Sequence, residues 1–394
     1  MSSSIYLDHA ATTPLAPEVV QAMAPYLESA YGNPSSIHRY GKKARRALEE
    51  ARTTVAQCLG ANADELVFTS GGTEADNLAV LGVTRALLEK PETSAKRHLI
   101  TTAIEHSAVA KPFAYLEKTQ GYRVTYLGVD AEGIVSLEDV RSALSEETVL
   151  VSVMHANNEI GSIQPIEAIG ELLRQHGILF HSDAVQTAGK LPLDVNKLNV
   201  DYLSLSAHKL YGPKGVGALY VRRRSLAPVP LIFGGGQESG FRSGTENVAG
   251  CVGFAEALKL ACASMAEESD RLRALQRYFI DGVLEKVPSA VLNGPSDLSK
   301  RVPGNVNFSF PPGEGEALVL QLDLKGVAAS TGSACKSTSI APSPIVLATG
   351  KPEPIAQASV RFSMGHHTTR EMLDEVVETL YSLMVRYREK MPLV

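Results

Sequence analysis

Apolar positions along the chain switch repeatedly between two spacings. In "SSIHRYGKKARRALEEARTTVAQCLG" they recur at three- and four-residue intervals, which predicts a helix stopped by Gly60. "ELVFTS" is a short strand, and "TEADNLAVLGVTRALLEK" returns to the helical period. "RHLITTAIEHSAVAKPFAYLEKTQG" repeats strand, loop and helix, and "RVTYLGV" adds another strand. Ser136 with Asp139 marks a capped start for the helix "LEDVRSALS", ahead of the strand "TVLVSVMHA". The alternation continues through "IEAIGELLRQHG", "ILFHSDA", "DYLSLSAHK" and "GVGALYVRR". Several of these strands are apolar enough to be covered on both faces, so the pattern predicts an α/β fold built on a mainly parallel sheet.

Near residue 260 the pattern changes. The long amphipathic stretch "MAEESDRLRALQRYFIDGVLEKV" leads into "VNFSF", "ALVLQLDLKG" and "ASVRFSMG", all read as strand-like, and then into a last helix, "TTREMLDEVVETLYSLMVRYREK". The expectation is a large domain over residues 15–260 and a smaller α+β domain over 261–394, joined by residues 1–14.

Composition narrows the function classes. With 394 residues, 44% hydrophobic and 21% charged, the chain has material for a large core. A formal net charge of -5 offers no general attraction to nucleic acid or an anionic membrane, so neither is an expected partner. The N-terminus lacks a basic region followed by an apolar run, and no apolar stretch is long enough to span a bilayer, which makes a cytoplasmic protein the default expectation. The four cysteines are too few and too scattered for a disulfide framework or a metal-ligand spacing. Cys58, Cys251 and Cys262 lie in apolar helical runs and read as small buried hydrophobes.

Four stretches fall in loops after predicted strands, where an α/β sheet collects its functional groups. "FTSGGTEADN" combines two glycines, Thr73 and a helix start, a pattern suited to cradling a phosphate. "ILFHSDAVQT" puts Asp183 at a strand end, where a carboxylate needs a partner. "SLSAHKLYGPKG" carries Lys209 into a turn, where desolvation would favour its nucleophilic amine form. "TAIEHSAV" places His106 between a strand and a helix, suited to stacking or to proton transfer. Each stretch alone is ordinary. Together they supply what pyridoxal 5′-phosphate requires: a lysine for its aldehyde, a carboxylate for its pyridine nitrogen, a phosphate cup and a ring over its face.

At this point a family resemblance is plain. The ordered signatures "YLDHAATTP", "YGNPSSIH", "TSGGTEADN", "EHSAV", "MHANNEIG", "HSDAVQT", "SAHKLYGPKGVGALY", "RSGTENV", "STGSACKS" and "VRFSMG" cover nearly the whole chain. They resemble the cysteine desulfurases of the NifS/IscS type, class V aminotransferase-like enzymes of pyridoxal-phosphate fold-type I. The resemblance implies removal of sulfur from L-cysteine to give L-alanine and a persulfide on Cys335. That sulfur would pass to acceptor proteins, such as an iron–sulfur scaffold, by way of a homodimer with shared active sites.

Carried over motif by motif, the resemblance makes Lys209 the lysine that bonds to the cofactor aldehyde, Asp183 the partner of its pyridine nitrogen and Gln186 the neighbour of its ring hydroxyl. His106 corresponds to the stacking imidazole. Gly72, Thr73, Ser206 and His208 correspond to phosphate ligands, as does Thr245, reaching across from the other subunit. Asn158 falls near cofactor and substrate, and Arg361 corresponds to the arginine that holds the substrate carboxylate. No resident metal is implied, Cys335 being at most a transient cluster ligand. Independently of the resemblance, Gly332, Ser333 and Ala334 permit movement around Cys335, and Lys336 favours its thiolate. Lys336, Ser239 and the proline-rich "IVLATGKPEPIAQAS" depart from the family pattern, and His366 and His367 are assigned no role. Two alternatives stay open: a cysteine or selenocysteine lyase without an obligatory persulfide, and a non-catalytic sulfur-assembly partner.

Overall fold

The computed structural model describes residues 4–332 and 341–390. Cys335 and Lys336 lie outside the described residues. In chain order the strands are β1 (Ile5–Tyr6), β2 (Leu66–Thr69), β3 (His98–Thr102), β4 (Arg123–Leu127), β5 (Thr148–Ser152), β6 (Leu179–Asp183), β7 (Tyr202–Ser206), β8 (Gly217–Val221), β9 (Val291–Asn293), β10 (Asn305–Ser309), β11 (Val327–Ala328) and β12 (Ser359–Ser363).

Seven of them form one sheet in the order β2-β8-β7-β6-β5-β3-β4. β4, β3, β5, β6 and β7 run parallel, and β8 is antiparallel to both of its neighbours, β7 and β2. β2, β3, β5, β7 and β8 are buried along their whole length. That burial is why their sequences read as continuous apolar runs instead of alternating ones. One face packs on helices Arg39–Cys58, Ile166–His176 and the first half of Val248–Lys286, through Val55, Leu173 and Phe254; the other packs through Val83, Val109 and Phe113. The mainly parallel α/β architecture expected from the sequence is present.

A second core gathers Leu272, Phe279, Val306, Phe308, Phe362, Leu373 and Leu380, together with Ile5 and Leu7 from the N-terminus. Its sheet is antiparallel in the order β12-β10-β9, and β1 pairs in parallel with β11. Helix Val248–Lys286 runs for 39 residues, through the point where the sequence pattern changed, and contributes Phe254 to the first core and Phe279 to the second. It is long and apolar enough by composition to cross a membrane, but half of its apolar window is buried in the protein.

Three local readings are corrected or refined. "ALVLQLDLKG" is mostly helical, spanning Gly315–Asp323, not a strand. Leu318 and Leu322, four residues apart, are the buried pair there, and leucine is a strong helix former, so the 3.6-residue period prevails over a run that looks continuous. The proline-rich segment forms two short helices, Pro344–Ala348 and Glu353–Gln357, each with a proline in its first two positions where no backbone donor is lost. Of the three cysteines read as buried, only Cys251 is fully so; Cys58 and Cys262 are half-buried. Ser136 caps its helix as expected, accepting from the Glu138 and Asp139 amides.

Candidate active site

The parallel strands end around a cavity of about 290 Å³. Asp183 is the last residue of β6, and Ser206, His208 and Lys209 follow from the end of β7. The turn after β2 delivers Gly72 and Thr73, and the loop after β3 delivers His106. Gly72, Thr73, His106, Asn158, Asp183, Gln186, Ser206, His208, Lys209 and Arg361 all line this one cavity. Thr245 does not; it is solvent-exposed in the loop after Gly244.

Lys209 Nζ donates to the carbonyl oxygens of Ala10 at 2.6 Å and Ala11 at 2.8 Å, and Gln186 Nε2 donates to Ala10 at 3.1 Å. Burial, with Arg361 and Lys190 as cationic neighbours, lowers the Lys209 pKa to about 8. An amine of that kind is available as a nucleophile near neutral pH.

Asp183 is buried, and its Oδ1 accepts the Val185 amide at 2.9 Å. Desolvation pushes its pKa up, against the pull of His106, the Val185 amide and Lys209. His106 caps helix Ser107–Gln120, its Nδ1 accepting the Ala108 amide at 3.1 Å, which fixes the ring at the cavity wall. Burial first, then Lys209 and Lys214, lower the His208 pKa to about 4, so it stands neutral; Thr12 Oγ1 lies 3.2 Å from its Nδ1.

Arg361, on β12, is 2% exposed and brings the second sheet to the cavity. It donates to the Asn158 carbonyl at 3.0 Å and to Asp8 Oδ1 at 2.8 Å. Its Nε has no hydrogen-bond partner among the described residues. A buried guanidinium donor left open beside a cavity is costly unless a ligand anion completes it.

The turn that carries Asn158 also holds the root of the segment leading to Cys335. Glu159 Oε2 accepts from Ser343 Oγ at 2.7 Å, and a Cβ on Gly332 would meet the same oxygen at 2.7 Å. Asn307 of β10 donates to the Glu159 carbonyl at 3.3 Å, so the second sheet grips this turn.

Asp76, the titratable lining residue that was not singled out from the sequence, adds a second carboxylate. Asp76 is 1% exposed, and one ligand atom each of Asp76, His106 and Asp183 lies within 4.8 Å of the others. Burial, and then the charge of Asp183, raise its pKa well above the ordinary value. The signal was present in "GGTEADN": three residues after Thr73 on the same helix, Asp76 shares a face with the glycine turn.

The cavity accepts the group that the four sequence motifs imply. Gly71 has φ 150°, and a Cβ on Gly72 would meet Val185 Cγ2 at 2.6 Å, so both positions of the turn require glycine. A lysine with a lowered pKa, a buried carboxylate and an open guanidinium donor face the same space, which suits an aldehyde, a protonated ring nitrogen and a carboxylate.

Comparison with known proteins agrees with this geometry. The family model for class-V aminotransferases matches residues 5–376. The cysteine desulfurase IscS of Dictyoglomus turgidum is 48% identical over all of this chain and 97% of its own length. That of Methanosarcina thermophila is 46% identical over all of this chain and 95% of its own. Among solved structures, a NifS-like protein superposes with a TM-score of 0.89 at 37% identity, covering 97% of this chain and 100% of that one. SspA in complex with cysteine superposes at 0.79 with 38% identity, over 92% and 99%. The chain belongs to the class-V aminotransferase family and, within it, to the cysteine desulfurases of the NifS/IscS type.

Proposed function

We propose that the protein removes sulfur from L-cysteine, releasing L-alanine and leaving a persulfide on Cys335 for transfer to an acceptor protein. The observation that carries this reading is the convergence of Lys209, Asp183, His106 and the open Nε of Arg361 on one cavity. Lys209, Asp183, Gln186 and His106 would hold the ring of pyridoxal 5′-phosphate, with Gly72, Thr73, Ser206 and His208 at its phosphate. The chemistry gained from that group is an electron sink for the pair left when the cysteine α-proton departs. Thr245, exposed and outside the cavity of its own chain, would complete the phosphate site of a second copy, which makes the functional unit a homodimer.

The chain's own residues do the rest. Arg361, braced by Asp8 and the Asn158 carbonyl, orients the substrate carboxylate. Lys209, close to its pKa at neutral pH, accepts and returns the α-proton. His106, held at the rim by its own helix, is positioned to pass a proton toward the substrate sulfur. The Cys335 thiolate then attacks that sulfur: the S–S bond forms as the substrate Cβ–S bond breaks, the electron pair goes to the carbon skeleton, and protonation lets it leave as alanine.

The test is intact-protein mass spectrometry without reductant after brief exposure to L-cysteine. A gain of about 32 Da per sulfur, mapped to Cys335, is expected. Alanine formation with no added sulfur on Cys335 would move the protein to the lyase reading.

Arg361→Lys gives a second expected result. The lysine keeps the charge but loses the planar fork that spans Asp8, Asn158 and the substrate. The KM for L-cysteine should rise roughly 10- to 100-fold, the worth of one charge-assisted hydrogen bond, with a smaller change in kcat. Steady-state kinetics at fixed pH checks it, and an unchanged KM would remove Arg361 from substrate binding.

A further inference from the structure

Beneath Asp183 the large sheet carries a second polar layer. Parallel register sets Ser152 of β5 beside His181, and Ser204 of β7 beside Asp183, all on one face of the sheet. Helix Gly72–Asn77 packs over that face and brings Asp76 down onto it. His181 Nδ1 lies 2.8 Å from Ser152 Oγ, and its Nε2 lies 3.0 Å from Ser204 Oγ and 3.5 Å from Asp76 Oδ1. The imidazole is fully buried, which lowers its pKa to about 3, so it stands neutral and brings Asp76 no positive charge.

Asp76 Oδ1 has no hydrogen-bond partner among the described residues, although the residue is only 1% exposed and lines the active-site cavity. The charged groups that bear on it are the carboxyls of Asp183 and Glu105, both of the wrong sign. Glu105 is already committed, accepting from Thr102 Oγ1 and from the Met154 amide, each at 2.9 Å. Asp183, by contrast, faces His106 and Lys209. One carboxyl of the buried pair is provided for, and the other borders the cavity with nothing to balance it.

We propose that Asp76 is a positioning residue acting through Asp183: the two carboxyls together form the seat for a cationic ring nitrogen, and Asp76 sets how tightly Asp183 holds it. That role presupposes pyridoxal 5′-phosphate as the occupant of the cavity. In the empty cavity, ligand atoms of Asp76 and Asp183 lie within 4.8 Å of each other, and the repulsion disfavours ionising both. A protonated ring nitrogen held by Asp183 brings positive charge into the same space and favours ionisation of Asp76. Binding of the cation and ionisation of Asp76 are then linked, and each strengthens the other. Asparagine keeps the shape of the side chain but cannot ionise, so it removes the linkage and spares the packing.

The test is equilibrium dialysis of cofactor-stripped, full-length protein against pyridoxal 5′-phosphate and against its deaza analogue, in which carbon replaces the ring nitrogen. Both ligands carry the aldehyde and the phosphate, but only the first presents a cation to Asp183. Asp76→Asn is expected to weaken pyridoxal 5′-phosphate about tenfold, the equivalent of one pKa unit, and to leave the analogue unchanged. Asp76→Asn combined with Asp183→Asn should bind pyridoxal 5′-phosphate no more weakly than Asp183→Asn alone, because the first residue works through the second. Equal weakening of the two ligands by Asp76→Asn would make Asp76 a packing residue and overturn the proposal. Unchanged binding of both, or additive losses in the double variant, would overturn it as well. A wild type that binds no pyridoxal 5′-phosphate would overturn the cofactor reading itself, and the role of Asp76 with it; a wild type that binds, beside an Asp76→Asn variant without selectivity, overturns the role of Asp76 alone.

Discussion

Lys209→Ala is expected to lower alanine formation from L-cysteine by at least roughly 10⁴-fold, the upper end of what a positioned acid–base group contributes, because covalent hold on the cofactor is lost as well. The structure gives reasons for so large an effect. Lys209 Nζ is fixed by two backbone carbonyls, Ala10 and Ala11, so no nearby side chain can take over its position when it is removed. Lys190 is also buried, with a pKa lowered to about 8, but it follows the Asp183 loop and does not line the cavity. A pH signature accompanies the loss. With a pKa near 8, the wild-type amine is mostly protonated at pH 6.5 and mostly free at pH 9, so the rate of cofactor uptake by stripped enzyme should rise about tenfold per pH unit below about 7 and level off above 8. Absorbance during reconstitution measures that profile. Activity of Lys209→Ala within tenfold of wild type would dismiss the lysine from the chemistry.

The groups most readily seen in the sequence were those at strand ends. Asp183 ends an apolar strand, and Lys209 and His106 lie in the short segments after one, and a parallel sheet brings such positions to one edge whatever the rest of the chain does. Other parts of the site carry no such mark. Asp76 sits in a helix among charged and polar residues, and its sequence does not distinguish a buried carboxylate from a solvated one. Ala10 and Ala11 act through backbone carbonyls, which no side-chain pattern announces. The helix Gly315–Asp323 was read as strand-like because a short leucine-rich run satisfies both periods until its buried pair is known.

Glu238→Ala is expected to give the largest loss of stability of any single change outside the active site, about 3–5 kcal/mol, the cost of stranding a buried charge. β2 is an edge strand of the large sheet, with β8 on one side only. On its open side the Glu238 carboxylate accepts the Phe68 amide at 2.7 Å and binds Arg52 through two hydrogen bonds, each 2.7 Å. Arg52 in turn donates to the Leu66 carbonyl at 2.9 Å, and its guanidinium lies 4.9 Å from the Phe68 ring centroid. One ion pair thus satisfies backbone groups that a further strand would otherwise meet. It also holds Glu238 and Ser239 at φ 49° and 56°, a left-handed conformation that non-glycine residues adopt only when their surroundings enforce it. Removing the carboxylate leaves the Arg52 charge and the Phe68 amide buried without it and releases the loop that carries Thr245. The double variant Arg52→Met with Glu238→Met should recover part of the loss, because replacing both charges with apolar groups removes the stranded cation. Urea unfolding of wild type, the single variant and the double variant measures both quantities. A double variant less stable than Glu238→Ala would mean that the pair contributes more than its own desolvation costs, and that the edge of the sheet depends on attraction between the charges and not only on hydrogen-bond satisfaction.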